Sequence, residues 1–190
     1  MIIKGGELEL MTTFLFPTGE SNPREQKQIK DPTSAVRREG IVYHIALSED
    51  HGVLSSEAVE SLNDVVVVGI ELRRLEGSNS TGQEVLSAIE RTIAEFFAKH
   101  ENVIICYYCD FINPIPHTSK NTMPPQEYRS RLFDMMFQRY TQQHGMTDVC
   151  LSVVEINGIN EKYYFHVIYR EVHSLLASMI SQDLKEGFDK

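Results

Sequence analysis

Few residues in this chain are of a type and spacing that could do chemistry. Cys106-Tyr-Tyr-Cys109 has C-x-x-C spacing. In a redox pair the cysteines stand at a helix N-terminus, which lowers the thiol pKa. Here Val103, Ile104 and Ile105 precede them and Asp110 follows, so the segment reads as a strand. An offset of three along a strand sends the two side chains to opposite faces. Zinc takes about four ligands, and the remaining cysteine, Cys150, is distant in sequence. Core packing is the expected role of the pair, with no metal.

Gly77-Ser-Asn-Ser-Thr-Gly82 lies between a strand pattern and a helix pattern. Phosphate-cradling loops occupy that place, because free N–H groups converge at a helix start. The glycine spacing is that of a P-loop. Gln83 and Glu84, however, stand where Lys and Ser/Thr would hold phosphate and magnesium. Glu84 would also repel an anion. Nucleotide hydrolysis is therefore not expected, and Gly77 and Gly82 leave open only weak pyrophosphate binding by backbone, beside a plain capped turn.

Asp110 ends the strand from Val103, and His117 follows in the loop. Sites in open sheets with parallel strands favour the carboxyl ends of strands. Asp110 is a candidate base or orienting group, and capping the loop or pairing with an arginine is the simpler role. Arg129 and Arg131 open the next helix and point in different directions. One could reach Asp110 or an anionic ligand, and a structural ion pair is the plainer expectation. His44, His166 and His173 lack ligand spacing such as i, i+4 on a helix. There is no G-x-S-x-G elbow for a hydrolase.

The elements that would position these residues follow from periodicity. Leu8–Phe16 is apolar and β-branched enough for a strand. Residues 17–39 are polar, carry Pro17, Pro23 and Pro32, and read as a long connection or mobile arm. Ile41, Tyr43, Ile45 and Leu47 have period two, a half-buried strand. Asp64–Arg74, with its four valines, reads as a strand covered on both faces. Leu86, Ile89, Ile93 and Phe97 share a helical face that runs to about His100. Val103–Cys109 is the next strand, so a parallel pair with a crossover helix is expected.

Phe111–Pro124 is a loop, and Pro124 and Pro125 open a helix, where a missing N–H costs little. Tyr128, Leu132, Met136 and Tyr140 are its expected buried stripe, with Phe133 and Phe137 beside it, and Gly145 ends it. Val149–Ile156 and Lys162–Arg170 flank Asn157-Gly158, a strong hairpin signal. Val172, Leu175, Leu176, Met179 and Ile180 mark a C-terminal amphipathic helix. The expected fold class is α+β: one domain over residues 1–190, with a single mixed β-sheet in the order β-β-β-α-β-α-β-β-α and helices packed on it.

Bulk composition excludes some functions. Hydrophobic residues are 42% and charged residues 24%, enough apolar matter for a core. Eighteen Lys and Arg against 27 Asp and Glu give a net charge of -9, which disfavours sequence-blind nucleic-acid binding. No basic region followed by an apolar run opens the chain, and no stretch has the ~18 apolar residues of a membrane span. Three cysteines are too few for a disulfide framework. A cytoplasmic setting is the simplest expectation.

The run Val103-Ile-Ile-Cys-Tyr-Tyr-Cys109-Asp110, then Arg129-Ser-Arg131-Leu132-Phe133, then Phe137, resembles a family of uncharacterised bacterial proteins, largely from Bacteroidetes. Their pattern is an apolar strand ending in Cys-Asp, then Arg-x-Arg-Leu-Phe and a Trp-Phe pair. Thr92-Ile93 and Phe96-Phe97 are similar to that family's preceding helix. Here Met136-Phe137 stands for Trp-Phe, and the loop 111–124 is longer. The resemblance implies a cytoplasmic α+β domain and draws attention to Asp110, Arg129 and Arg131; it carries no activity.

The element order also resembles the core of acetyl-CoA-dependent N-acetyltransferases. Their loop signature, Arg/Gln-x-x-Gly-x-Gly/Ala, is half present as Arg74-Leu-Glu-Gly77. Two functions are therefore expected. The first is a non-enzymatic domain binding a protein or small molecule without a cofactor, because no complete catalytic set is visible. The second is an acyltransferase, or a degenerate relative of one, using acetyl-CoA. A splayed gap between the strands that hold Val65 and Val103 would favour the second.

Overall fold

The computed structural model describes residues 2–3, 33–38, 41–49, 54–76, 83–109, 122–158 and 161–188. In chain order they form β1 (Ile2–Ile3), β2 (Thr33–Arg38), β3 (Ile41–Glu49), α1 (Ser56–Ser61), β4 (Val66–Glu76), α2 (Gln83–Lys99), β5 (Val103–Cys109) and α3 (Pro125–His144). Then come β6 (Val149–Asn157), β7 (Lys162–Arg170), a 3-10 turn (Glu171–His173) and α4 (Ser174–Phe188). Among the described residues the strands make one mixed sheet in the order β1-β2-β3-β4-β5-β7-β6. The α+β class and the single mixed sheet hold.

The element order is richer than periodicity suggests. The polar segment 17–39 contributes Thr33–Arg38 as a strand, antiparallel to β3 from Thr33↔Ala46 to Arg38↔Ile41. Its polar composition concealed an outlying strand, whose neighbours in the sheet order are only β1 and β3. The short helix α1 is also additional. Ser55 Oγ accepts the Ala58 N–H at 3.2 Å, a local cap, and the Ser55 N–H donates to Asp183 in α4 at 2.8 Å. The strand expected over Leu8–Phe16 lies outside the described residues.

Two apolar layers cover the sheet. On one face α2 and α3 pack over alternate residues of β4 and β5: Val68, Ile70 and Leu72, and Ile105 and Tyr107. On the other face α4 packs through Ala177, Ile180 and Leu184 over Val67, Ile104 and Val167. β5 is therefore buried on both sides, as its unbroken apolar run requires. Cys106 enters the second layer and Cys109 the first, so the two cysteines do face opposite ways.

Two helical stripes are phased differently from expectation. In α4, Val172 and Leu175 are 80% and 75% exposed, while Ala177, Ile180 and Leu184 are buried. The 3-10 turn places Val172 before the helix proper and shifts the phase. In α3 the buried residues are Gln126, Arg129 and Ser130, with Phe133 and Phe137 packed below them. Tyr128, Leu132, Met136 and Tyr140 are only half-buried, Met136 and Tyr140 lining a cavity with Phe133 and Phe137. Polar side chains occupy the inner face because the sheet offers a polar partner there.

The hairpin of β6 and β7 forms with Asn157 opposite Lys162. The Gly158 N–H donates to the Glu161 carbonyl at 2.7 Å. A Cβ at Gly158 would meet Tyr163 at 2.7 Å, so this glycine is needed for close approach. β7 inserts between β5 and β6, which brings its His166 beneath α3.

Candidate functional site

β4 and β5 are parallel, and their ladder runs only from Val66↔Val103 to Gly69↔Cys106. β4 nevertheless continues to Glu76, still bonded to β3, with Val42 opposite Glu76. β5 continues to Cys109, still bonded to β7, with Tyr164 opposite Cys109. Each strand keeps its outer neighbour and loses its inner one. The sheet therefore splits down the middle from Ile70 and Tyr107 onward. Backbone N–H and C=O groups along such a split face each other without a ladder between them.

A polar cluster lies beside the split, under α3. Ser130 Oγ and His166 Nε2 are 2.9 Å apart, both residues buried. The His166 ring stacks on Tyr107 with centroids 4.7 Å apart and planes 8° from parallel. Tyr107 in turn meets Phe133 edge-on at 5.5 Å. Burial holds the His166 pKa down at about 4. Burial likewise pushes the Tyr107 hydroxyl well above its usual value, with Cys109 and Asp134 adding to the effect. At neutral pH both rings are thus uncharged, and the Ser130–His166 bond is a neutral one. Among the described residues His166 Nδ1 has no hydrogen-bond partner. Either tautomer leaves one buried ring position unfilled. Geometrically Ser130 and His166 are a hydroxyl–imidazole dyad. Their burial denies it a substrate, so its chemistry is structural.

Beside this cluster an apolar cavity of about 90 Å³ lies between α2 and α3. Its floor is Ile70, Leu72, Ile105 and Tyr107, the residues on either side of the split. Among the described residues its one charged wall residue is Glu90, whose Oε1 is buried with no hydrogen-bond partner. A wider, more polar cleft lies at the start of α3, between Gln126, Glu127 and Pro125 on one side and Lys162 and Tyr164 on the other.

Of the candidate site residues singled out in the sequence, only Arg129 and Arg131 are among the described residues. Asp110, Gly77 and Gly82 lie outside the described residues. Arg129 is wholly buried, at 0% exposure, on the inner face of α3. Arg131 points to solvent and pairs with Glu127 at 2.7 Å, an ordinary i, i+4 surface bridge. The two arginines are thus not brought together. Among the described residues no three His, Cys, Asp or Glu side chains come together to hold a metal, and no helix is long and apolar enough to cross a membrane.

Sequence patterning singled out neither Glu90 in the cavity wall nor the Ser130–His166 pair. The signals were present. Leu86, Glu90, Ile93 and Phe97 share a helical stripe, and a carboxylate inside it is anomalous. Gln126, Arg129, Ser130, Phe133 and Phe137 have the i, i+3, i+4, i+7 spacing of a buried face once polar residues are admitted to it. No family model, no curated protein and no solved structure matches the chain.

Proposed function

We propose that this chain binds acetyl-CoA or a related acyl thioester in the split between β4 and β5, as a non-enzymatic relative of the N-acetyltransferases. One observation carries the reading: the β4–β5 ladder ends at Gly69↔Cys106 although both strands go on. The pantetheine arm of coenzyme A is extended and carries two amides. It can pair with unladdered backbone on either side, as an added strand does. The order β4-α2-β5-α3-β6-β7, with β7 between β5 and β6, agrees with the resemblance to that superfamily. In the sequence the half-signature Arg74-Leu-Glu-Gly77 begins in the last residues of β4 and precedes α2.

Binding rather than transfer is favoured because Tyr107, Ser130 and His166 are all buried. None of them is open to an acceptor. Thermal unfolding and titration calorimetry with acetyl-CoA, at about 1 mM, test the reading. A ligand that binds only the folded state raises Tm by mass action, by about 2.7 kcal/mol of stability at a hundredfold excess over Kd. No shift at millimolar acetyl-CoA or coenzyme A overturns it, and acetyl transfer to added amines would overturn the non-enzymatic part.

A second reading, a protein-interaction domain, is favoured by Val172 and Leu175, which stand exposed at the head of α4. Leu175→Asp should then abolish capture of a partner without lowering Tm.

A further inference from the structure

The cavity between α2 and α3 is more than a packing fault. Its walls are Ile89, Ile93 and Phe97 from α2, and Phe133, Met136 and Phe137 from α3. Into this apolar surface α2 sends one carboxyl group, Glu90. Glu90 Oε1 is buried, and among the described residues no hydrogen-bond donor reaches it. Burial pushes the carboxyl up from its ordinary range, while Arg139 and His144 pull it down. Both of those side chains are exposed, and His144 Nδ1 is engaged with the Tyr140 carbonyl at 2.9 Å. A buried carboxyl oxygen without a donor is unfavourable, because it has lost its water and gained no partner. Glutamine or an aliphatic residue would pack here without a charge.

We propose that this cavity is a binding site for a small primary amine on an apolar body, whose ammonium donates to Glu90 and whose hydrocarbon fills the gap between α2 and α3. Charge decides the class. An anion meets the Glu90 carboxylate and is repelled. An alcohol supplies one hydrogen bond and no charge. An ammonium supplies both, and a charge-assisted bond is roughly twice as strong as a neutral one. Size bounds the body. A dry cavity of about 150 Å³ accepts benzene. At about 90 Å³ this one suits a chain of about four carbons, or a ring that partly protrudes between the helices. The cavity shares its floor with the parted strands, and Glu90, on α2, is the part of the site that the acyl-thioester reading does not use.

The test is thermal unfolding and calorimetry on the full chain, with n-butylamine and benzylamine against n-butanol and benzyl alcohol. At roughly tenfold excess over Kd the amines should raise Tm by about 2–5 °C, and the alcohols by less. Glu90→Gln should remove the advantage of the amines and keep the response to alcohols. Ala94→Phe, which fills the groove from α2, should remove both. The acetyl-CoA response should persist in Glu90→Gln, so the two readings fail separately. No shift with any amine, an equal amine shift in Glu90→Gln, or an undiminished shift in Ala94→Phe overturns the proposal.

Discussion

His166 is the residue whose protonation between pH 4 and 7 the fold changes most. In the unfolded chain it titrates near its ordinary 6.5, and in the folded protein burial holds it at about 4. Between these values the unfolded state binds a proton that the folded state refuses. Stability therefore rises with pH across this window, is complete above about 6.5, and is lost as pH falls toward 4. Urea unfolding at pH 7.5 and pH 5.0 should differ by about 1–2 kcal/mol from this residue. Glu90 acts in the opposite sense. Its raised carboxyl keeps a proton longer in the folded state, so its part of the stability falls as pH rises just above 4.5. His166→Phe separates the two. Phenylalanine keeps a ring against Tyr107, loses the titration and strands the Ser130 hydroxyl. The variant should lose about 1–2 kcal/mol at neutral pH and show a flatter response to acid. An unchanged acid response in His166→Phe would place the sensitivity elsewhere.

At the scale of elements, α3 carries the most information and was the least legible. Its ends were plain in the sequence. Pro125 sits at the first helical position, and Gly145 closes it in the left-handed conformation at φ 62°. The Met146 N–H reaches back to the Thr141 carbonyl at 3.0 Å, sealing the last turn. No atom lies within 4 Å of a Cβ built at Gly145, so the glycine is there for conformation and not for space. Gly145→Ala should therefore cost about 1–2 kcal/mol in urea unfolding. A neutral result would mean that the turn relaxes out of the left-handed region. The inner face of α3 was illegible because hydrophobicity was the guide to burial. Tyr128, Leu132, Met136 and Tyr140 form the more apolar stripe. Gln126, Arg129 and Ser130 turn inward because His166, from a strand distant in sequence, offers Ser130 a bond. That partner is a tertiary fact. The same limit hid β2 and misphased α4, where neighbours and a 3-10 turn override local pattern. β5 and the β6–β7 hairpin were legible because an apolar run and an Asn-Gly turn are local signals.

At the scale of the whole molecule, the sheet is two sheets joined at one end. β1 to β4 form one part, and β5, β7 and β6 the other. The Val66–Gly69 and Val103–Cys106 segments are the hydrogen-bonded seam between them. Beyond it the two parts are held by the apolar core under α2 and α3, which includes a small cavity. Native-state hydrogen exchange should register this. Amides within the seam should exchange only through global unfolding, since both strands are buried and paired there. Amides of β4 from Ile70 and of β5 from Tyr107 that face the split have no ladder partner across it. Those should exchange through smaller openings, while the amides of the same strands that face β3 and β7 stay protected. Alternation of fast and slow amides along one strand is the signature of a split, because successive N–H groups point to opposite neighbours. Uniform protection from Ile70 to Glu76 would mean that the strands close in solution and that no cleft exists to hold a thioester. If the split is the binding cleft, acetyl-CoA should slow the fast set selectively. The slow set should move only by the overall gain in stability.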